Sequence, residues 1–300
     1  MLIEEILDYC NNEYTQKRGC CKNCNHPCRC PDSCAECLRQ IHYEHAQPEA
    51  RHSYDCNYLA NYYVCKYSLK YASEMYYALS GLENLASAQK LNVFSIGCGP
   101  CTDLFALNYL SENGDYKYEK LNYIGVDILR ETWGKIHNKI AQSSFTSYGI
   151  NAKYIYCDIQ IVLDKLVREE FKPDLIVMNY FLSDYHKYGS PEKVLDFLNR
   201  LVYYISKVCP DTTIIINDIN LNCSRGGGRE YYDTLLKKLQ PMGFKCSRMH
   251  FNNSNKENHY EYGTEYYSNN LVFPDEVLWK YNYYRPFDSC SGAQIIIYKE

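Results

Sequence analysis

Clustered cysteines are the strongest chemical signal in this sequence. Seven of its 17 cysteines lie between Cys20 and Cys37. Two of the spacings, Cys21/Cys24 and Cys34/Cys37, are Cys-x-x-Cys pairs that can each chelate one ion. Because thiols stay reduced in the cytosol, this density predicts a metal cluster rather than disulfides. The predicted ligands are Cys20, Cys21, Cys24, Cys28, Cys30, Cys34 and Cys37.

The two pairs together would satisfy one tetrahedral zinc ion. The three remaining thiols leave open a second ion that shares bridging thiolates, or an iron–sulfur cluster. We expect zinc, with the iron–sulfur cluster as the less favoured alternative. Residues 16–55 show no apolar periodicity long enough to build a core, so bound metal is expected to order them.

Basic side chains surround these cysteines, among them Lys17, Arg18, Lys22, Arg29 and Arg39. A metal module with a basic rim is typical of a surface that contacts nucleic acid, RNA included, and it can also dock another protein. The net charge of the whole chain is −4, which favours neither partner. RNA and protein partners therefore both stay open.

A second group of candidate residues follows apolar runs further along the chain. Gly97 and Gly99 come after the first run, Asp127 ends the second, Asp158 follows the third, and Asn179 follows the fourth. Ligands of open α/β sheets bind beyond the carboxyl ends of the strands. If the runs are parallel strands, these residues converge on one crevice.

The elements that would position them alternate along the chain. Apolar runs typical of buried strands occupy 92–96, 123–126, 154–156, 174–178, 213–216 and 294–298, and helix-like stretches lie near 102–112, 130–147, 160–169, 191–208 and 229–240. This alternation predicts βαβ units and a sheet covered on both faces. The predicted fold class is α/β: a doubly wound, mainly parallel, seven-stranded Rossmann-like sheet.

The glycine spacing separates two kinds of nucleotide ligand. A dinucleotide fingerprint, Gly-x-Gly-x-x-Gly, would need a third glycine where Thr102 stands. Asp127 can still hold both hydroxyls of a ribose. The pattern therefore favours a nucleoside without a pyrophosphate over NAD.

These features, in this order, resemble the class I S-adenosylmethionine-dependent methyltransferases. The resemblance covers about residues 85–300: the glycine-rich loop, an acid after strand two, an Asp after strand three, a polar tail after strand four and IIINDIN after strand five. It implies a methyltransferase activity with S-adenosylmethionine as the cofactor. This methyltransferase-like region is joined to an N-terminal Cys-rich metal-binding module.

The resemblance also implies roles for particular residues. Gly97 and Gly99 would lie beside the amino-acid part of the cofactor, Asp127 would bind the ribose, and Asp158 would lie near the adenine. The implied cofactor-binding residues are Ser95, Gly97, Gly99, Asp127, Ile128, Asp158, Ile159 and Asn179, and the candidate catalytic residues are Asn179, Tyr180, Asp184 and His186.

Two positions depart from the family pattern. Ser95 stands where the family usually has an acid, and Cys101 where it usually has a third glycine. They favour a second hypothesis: a non-catalytic binding or assembly factor that keeps the fold and works through its metal cluster, on RNA or on a protein. The first hypothesis is an active enzyme whose zinc module recruits or covers the substrate.

The domain organisation follows from these segments. We predict a Cys-rich metal-binding module at 1–55, a helical connection at 56–90 and the cofactor-binding domain at 91–300. A long helix with one packed face is expected from Asp55 to about Leu85. A polar, turn-rich insertion near 250–285 is expected to cover a ligand site.

Composition excludes one broad class of protein. No window approaches the roughly 20 apolar residues that span a bilayer, so a membrane protein is not expected. The acidic start, MLIEEILDYC, matches neither a secretory signal nor an Arg-rich transit peptide, and we expect a cytoplasmic protein. The sequence specifies neither the methyl acceptor nor an oligomeric state.

Overall fold

A computed structural model describes residues 1–15, 34–42, 54, 56–251, 262–263 and 265–299. The helices are α1 (Leu2–Thr15), α2 (Cys34–His42), α3 (Asn57–Ser80), α4 (Glu83–Ala86), α5 (Thr102–Glu112), α6 (Arg130–Tyr148), α7 (Ile159–Glu169), α8 (Leu182–Tyr188), α9 (Pro191–Val208), α10 (Arg229–Leu239) and α11 (Asp275–Lys280). The strands are β1 (Lys90–Ile96), β2 (Lys120–Asp127), β3 (Ile150–Tyr156), β4 (Leu175–Asn179), β5 (Thr213–Ile219), β6 (Lys245–Phe251), β7 (Glu265–Tyr267) and β8 (Gly292–Tyr298).

The strands form one sheet in the order β3-β2-β1-β4-β5-β8-β6-β7. β1 to β5 pair with one another in parallel, whereas β8 runs antiparallel to both of its neighbours, β5 and β6. The sheet was predicted to be mainly parallel; it is mixed, with five parallel strands from β1 to β5. The three-residue strand β7 adds an eighth member to the seven that were expected.

β1 and β4 are parallel neighbours at the centre of the sheet. β2 and β3 follow on the side of β1, and β5 follows on the side of β4, so the strand order reverses between β1 and β4. Ile96 pairs with Val126 on one side and with Met178 on the other. The loops after β1, β2 and β4 therefore emerge side by side. This is the switch point at which open α/β sheets bind ligands.

Apolar side chains alternate along the central strands and build two cores. Val93 and Val177 face the core formed with α3, α5 and α6, while Phe94 and Met178 face the one formed with α7, α9 and α10. Strands that are buried on both faces read as continuous apolar runs, which is why the sequence revealed them.

The boundaries of two helices agree with those predicted from the sequence. α5 and α9 span the predicted 102–112 and 191–208. Ser190 caps α9 by accepting a hydrogen bond from the backbone N–H of Lys193 at 3.3 Å, and Pro191 occupies the first turn.

The long helix α3 differs from its prediction in two ways. It ends at Ser80, before Gly81, rather than near Leu85. The expectation of one packed face was wrong, because α1, α2, α5 and α6 surround the helix and bury nearly every turn from Leu59 to Leu79. Its even distribution of apolar and aromatic residues is what a surrounded helix requires.

Residues 1–15 and 34–42 pack against the rest of the chain. Leu2 and Ile6 of α1 are buried in the core with α3 and α5, and the Asn108 side chain accepts a hydrogen bond from the backbone N–H of Leu2 at 2.9 Å. α2 buries Leu38 and Ile41 in the same core. Within 34–42, apolar packing is therefore present where the sequence suggested that metal alone would impose order.

The described part of the 250–285 insertion lies against the helices. Phe273, Val277, Tyr281 and Tyr284 are buried in the core that contains α1, α3 and α5. Tyr281 donates a hydrogen bond to Asp8 at 2.8 Å. Among the described residues, no helix is long and apolar enough to cross a bilayer.

Candidate functional site

A cavity of about 370 Å³ opens at the carboxyl ends of β1, β2, β3 and β4. Its volume is within the range typical of small-molecule sites. The predicted residues that line it are Gly97, Gly99, Asp127, Ile128, Asp158, Ile159, Asn179, Tyr180 and Asp184. The structure therefore brings nine of the predicted site residues to one place.

The loop after β1 depends on its glycines. Gly97 and Gly99 have φ values of 63° and 44°, in the left-handed region that glycine adopts without strain. A Cβ atom on Gly97 would lie 2.3 Å from the Phe181 ring. The first glycine thus lets the loop pass directly beneath Phe181, the second residue after β4.

If the cavity holds the nucleoside that the sequence predicts, Gly97→Ala should weaken its binding at least 10-fold. The substitution strains the backbone by about 1 to 2 kcal/mol and pushes the Phe181 ring into the cavity. Calorimetric titration with S-adenosylhomocysteine checks this. Gly114→Ala provides a matched control, because Gly114 also has a positive φ (81°) but has open space around it and does not line the cavity. Equal losses in both variants would contradict the close-approach explanation.

Asp127 is fixed by two backbone hydrogen bonds. Its Oδ2 accepts from the N–H of Gly99 at 3.0 Å and its Oδ1 from the N–H of Leu129 at 2.9 Å. Loss of solvent raises the pKa of this carboxyl, and the two hydrogen bonds oppose that rise. Each carboxylate oxygen keeps a second lone pair that can accept from a ligand hydroxyl.

Asp158 has a structural role as well as a place in the cavity. Its Oδ1 accepts from the N–H of Gln160 at 2.9 Å and caps α7. Its Oδ2 lies 3.7 Å from Nζ of Lys193, another residue of the cavity wall. One carboxylate oxygen therefore shapes the loop while the other faces a cation.

Asn179 belongs to a chain of amide hydrogen bonds behind the cavity. Its Nδ2 donates to Thr102 Oγ1 at 2.8 Å, and its Oδ1 accepts from Asn217 Nδ2 at 2.8 Å. Asn217 also donates to Glu74 at 2.9 Å. Thr102, where a dinucleotide fold would have glycine, thus anchors the end of β4.

Aromatic rings form the wall that the sequence did not reveal. Tyr71 of α3 stacks on Tyr180 with ring centroids 3.9 Å apart, and Tyr63 meets the edge of Trp133 at 5.7 Å. Tyr54 lines the same wall. With 33 tyrosines spread through the chain, no spacing distinguished these from the others.

Tyr180 has an unusual environment for a cavity residue. Its φ is 54°, and Lys70 Nζ donates to its phenol oxygen at 3.0 Å. Burial, reinforced by the nearby Glu74 charge, raises the pKa of this phenol well above its ordinary value. Tyr180 is therefore protonated at neutral pH and is not suited to act as a base.

Two predicted site residues lie away from the cavity wall. His186 lies on α8, where its Nδ1 is 2.7 Å from the Tyr231 hydroxyl, and it is not among the lining residues. Ser95 is buried in β1 beneath the loop. Asp184, one turn or less from His186 on the same short helix, does line the cavity.

Of the predicted metal ligands, the structure describes Cys34 and Cys37. Both are buried on α2. The other five, Cys20, Cys21, Cys24, Cys28 and Cys30, lie outside the described residues. The predicted metal cluster therefore stays a prediction.

Comparisons with known proteins add similarities of fold. No protein-family model matches the chain, and no curated protein matches it. An S-adenosylmethionine-dependent methyltransferase from Archaeoglobus fulgidus is 18% identical, with a TM-score of 0.41 over 76% of this chain and 94% of that one. The plantazolicin methyltransferase BpumL, solved with S-adenosylhomocysteine, is 11% identical, with a TM-score of 0.42 over 89% and 99% of the two chains. The YcgJ protein of Bacillus subtilis is 10% identical, with a TM-score of 0.39 over 76% and 98%.

Proposed function

We propose that this protein is an S-adenosylmethionine-dependent methyltransferase. One observation carries the proposal: Asp127, Asp158 and Asn179, at the carboxyl ends of β2, β3 and β4, line a single cavity with the Gly97–Gly99 loop, which follows the intervening strand β1. Three hydrogen-bonding side chains at a switch point suit a ligand with several polar groups spread along its length.

The residues present fit the cofactor's chemistry. The free lone pairs of Asp127 suit a ribose diol, and Asp158 with Ile159 suits an adenine ring and its amine. Ring faces such as those of Tyr71 and Tyr180 attract a positive charge. When bound, S-adenosylmethionine supplies a methyl group on a cationic sulfur.

A dinucleotide ligand is less suited to this site. Thr102 occupies the third-glycine position, and its hydroxyl is engaged with Asn179. The sheet also departs from the dinucleotide fold next to β5, where β8 is antiparallel. Both features favour a single nucleoside.

Methyl transfer needs alignment of the acceptor and, for a protonated acceptor, removal of one proton. Asp184 is the carboxylate best placed to take that proton, because it lines the cavity beside Tyr54 and Tyr63. Asp127 and Asp158 are held by backbone hydrogen bonds and orient the cofactor. Asn179 orients the methyl-bearing end.

Asp127→Ala is expected to weaken binding of S-adenosylhomocysteine by about 10- to 150-fold. The estimate converts about 1.5 to 3 kcal/mol for the loss of a charged hydrogen-bond partner. Isothermal titration calorimetry measures it on the full chain. Asp164→Ala is the matched control, since Asp164 pairs with Arg200 at 2.8 Å outside the cavity. Absence of binding by the wild-type protein, or preferential binding of NAD, would overturn the cofactor assignment.

The N-terminal region is proposed to recruit or cover the substrate. Tyr54 lines the cavity, and Lys187 of α8 donates a hydrogen bond to the backbone carbonyl of Ile41. Residues at the end of the predicted metal module therefore reach the cavity wall. An RNA acceptor predicts labelled methyl transfer to RNA; transfer to protein instead would reassign the acceptor, and binding without any transfer would favour the assembly-factor hypothesis.

A further inference from the structure

A second group of reactive side chains lies directly beneath the glycine loop. Cys98, Cys101 and His137 are all buried, and their ligand atoms lie within 4.8 Å of one another. Cys98 Sγ is 3.8 Å from His137 Nε2, which also contacts the Gly99 carbonyl oxygen at 2.6 Å. Cys101 Sγ lies 3.7 Å from the same oxygen. Two sulfurs and one imidazole nitrogen thus lie close together, and the Gly99 carbonyl oxygen is near two of these three atoms.

The backbone conformation at Cys101 is a second observation on this group. Its φ is 62°, a left-handed conformation that costs about 1 to 2 kcal/mol for a residue with a Cβ and none for glycine. A strained non-glycine residue at such a position indicates that its side chain has a use. Cys101 is also one of the two positions, with Ser95, at which the sequence departs from the methyltransferase pattern.

We propose that Cys98, Cys101 and His137 bind a structural zinc ion, with the Gly99 carbonyl as the fourth donor. Tetrahedral zinc, with Zn–S of about 2.3 Å and Zn–N of about 2.0 to 2.1 Å, sets S···N distances near 3.6 Å. The observed 3.8 Å between Cys98 and His137 is close to that value. On binding, the two thiols release their protons to solvent and the neutral imidazole carries its own proton on Nδ1, beside the Tyr156 hydroxyl. The ion then lies between Nε2 and the Gly99 carbonyl oxygen, and the distance between these two atoms increases.

The surroundings suit that ion in charge and in support. Two thiolates neutralise Zn²⁺, so the buried site carries no net charge. His137 Nδ1 is 2.9 Å from the Tyr156 hydroxyl, the outer hydrogen bond that orients a metal-bound imidazole. The ring also stacks on Tyr154 at 4.0 Å. Sulfur and nitrogen donors select zinc over magnesium or calcium.

The site would fasten the glycine loop to α6. Cys98 and Cys101 flank Gly99, whose N–H binds Asp127, while His137 projects from α6. The inference stands independently of the proposed methyltransferase activity, because it concerns the folded loop and not its ligand.

The test measures zinc content in the full chain and in matched variants after zinc loading and desalting. Cys101→Gly removes one ligand and relieves the left-handed strain, so the variant should fold. We expect it to contain one zinc fewer per chain than wild type, and His137→Gln to show the same loss. Cys209→Ala, which removes a buried thiol elsewhere, is expected to leave the count unchanged. The segment from Cys20 to Cys37 is identical in all of these proteins, so any zinc that it binds contributes equally and cancels when the zinc contents are compared.

Cobalt substitution supplies a second readout. The sulfur-to-cobalt absorption of wild type should weaken in Cys101→Gly and persist in Cys209→Ala. Equal zinc content in wild type and Cys101→Gly would overturn the proposal. So would a Cys98–Cys101 disulfide found by peptide mass spectrometry in the protein as purified, which would assign the pair to redox chemistry.

Discussion

Asp184→Asn is expected to slow methyl transfer by about 10²- to 10⁴-fold, the usual contribution of a positioned proton acceptor. The asparagine side chain keeps the shape of aspartate and still forms hydrogen bonds, but it cannot take up the proton that the methyl acceptor loses. Asp184 lines the cavity beside Tyr54 and Tyr63, on the short helix α8 that follows β4. The initial rate of labelled methyl transfer from S-adenosylmethionine to an undermethylated extract measures the effect.

Two controls distinguish this role from damage to the site. Calorimetry should give Asp184→Asn the wild-type affinity for S-adenosylhomocysteine, because Asp127 and the glycine loop are unchanged. His186→Gln should transfer methyl groups at close to the wild-type rate, since His186 contacts Tyr231 outside the cavity. A wild-type rate in Asp184→Asn would mean that the acceptor needs no base or that another residue provides one.

Several parts of the site could be predicted from sequence because each rests on a local rule. Glycine is favoured where φ is positive, as at Gly97, and acids that end a buried strand emerge at its carboxyl edge, as Asp127 does. Parallel pairing then brings them together without further information. The same reasoning placed Asp158 and Asn179 in the cavity.

The aromatic wall could not be predicted in this way. Tyr63 and Tyr71 come from α3, which precedes the sheet, and only tertiary packing puts that helix against β4 and the loop after it. His137 likewise reaches Cys98 from α6, 39 residues along the chain. Periodicity identifies a helix but not the partner of each of its faces.

Short polar elements were missed for a different reason. β6 carries Lys245, Arg248 and His250, and its partial burial gives no apolar run. α8 was interpreted as a polar tail after β4, so His186 was placed over the crevice although the helix turns it toward Tyr231. In each case a neighbouring element, and not local propensity, determines the structure.

Glu74→Ala is expected to reduce the free energy of unfolding by about 3 to 5 kcal/mol, as when one partner of a buried ion pair is removed. Glu74 is fully buried and lies 3.5 Å from Nζ of Lys70, which is itself almost inaccessible to solvent. Its carboxylate also accepts from Asn217 at 2.9 Å and from the N–H of Ser291 at 2.9 Å. Removing it leaves the buried Lys70 ammonium without its counter-charge, and Asn217 and the N–H of Ser291 lose the acceptor that Glu74 provides. Urea denaturation followed by circular dichroism measures the loss.

A charge-neutral double variant separates the ionic contribution from the hydrogen bonds. In Lys70→Met with Glu74→Gln, both charges are gone and the glutamine oxygen can still accept from Asn217 and the backbone, so the stability loss should be clearly smaller than in Glu74→Ala. The double variant also removes the hydrogen bond from Lys70 to Tyr180. The double variant should therefore bind S-adenosylhomocysteine more weakly than wild type, even though it is more stable than Glu74→Ala. A free energy of unfolding for Glu74→Ala within about 1 kcal/mol of the wild-type value would mean that the ion pair is not desolvated as its burial implies. It would also mean that the amide chain from Glu74 through Asn217 to Asn179 does not hold the end of β4 in place.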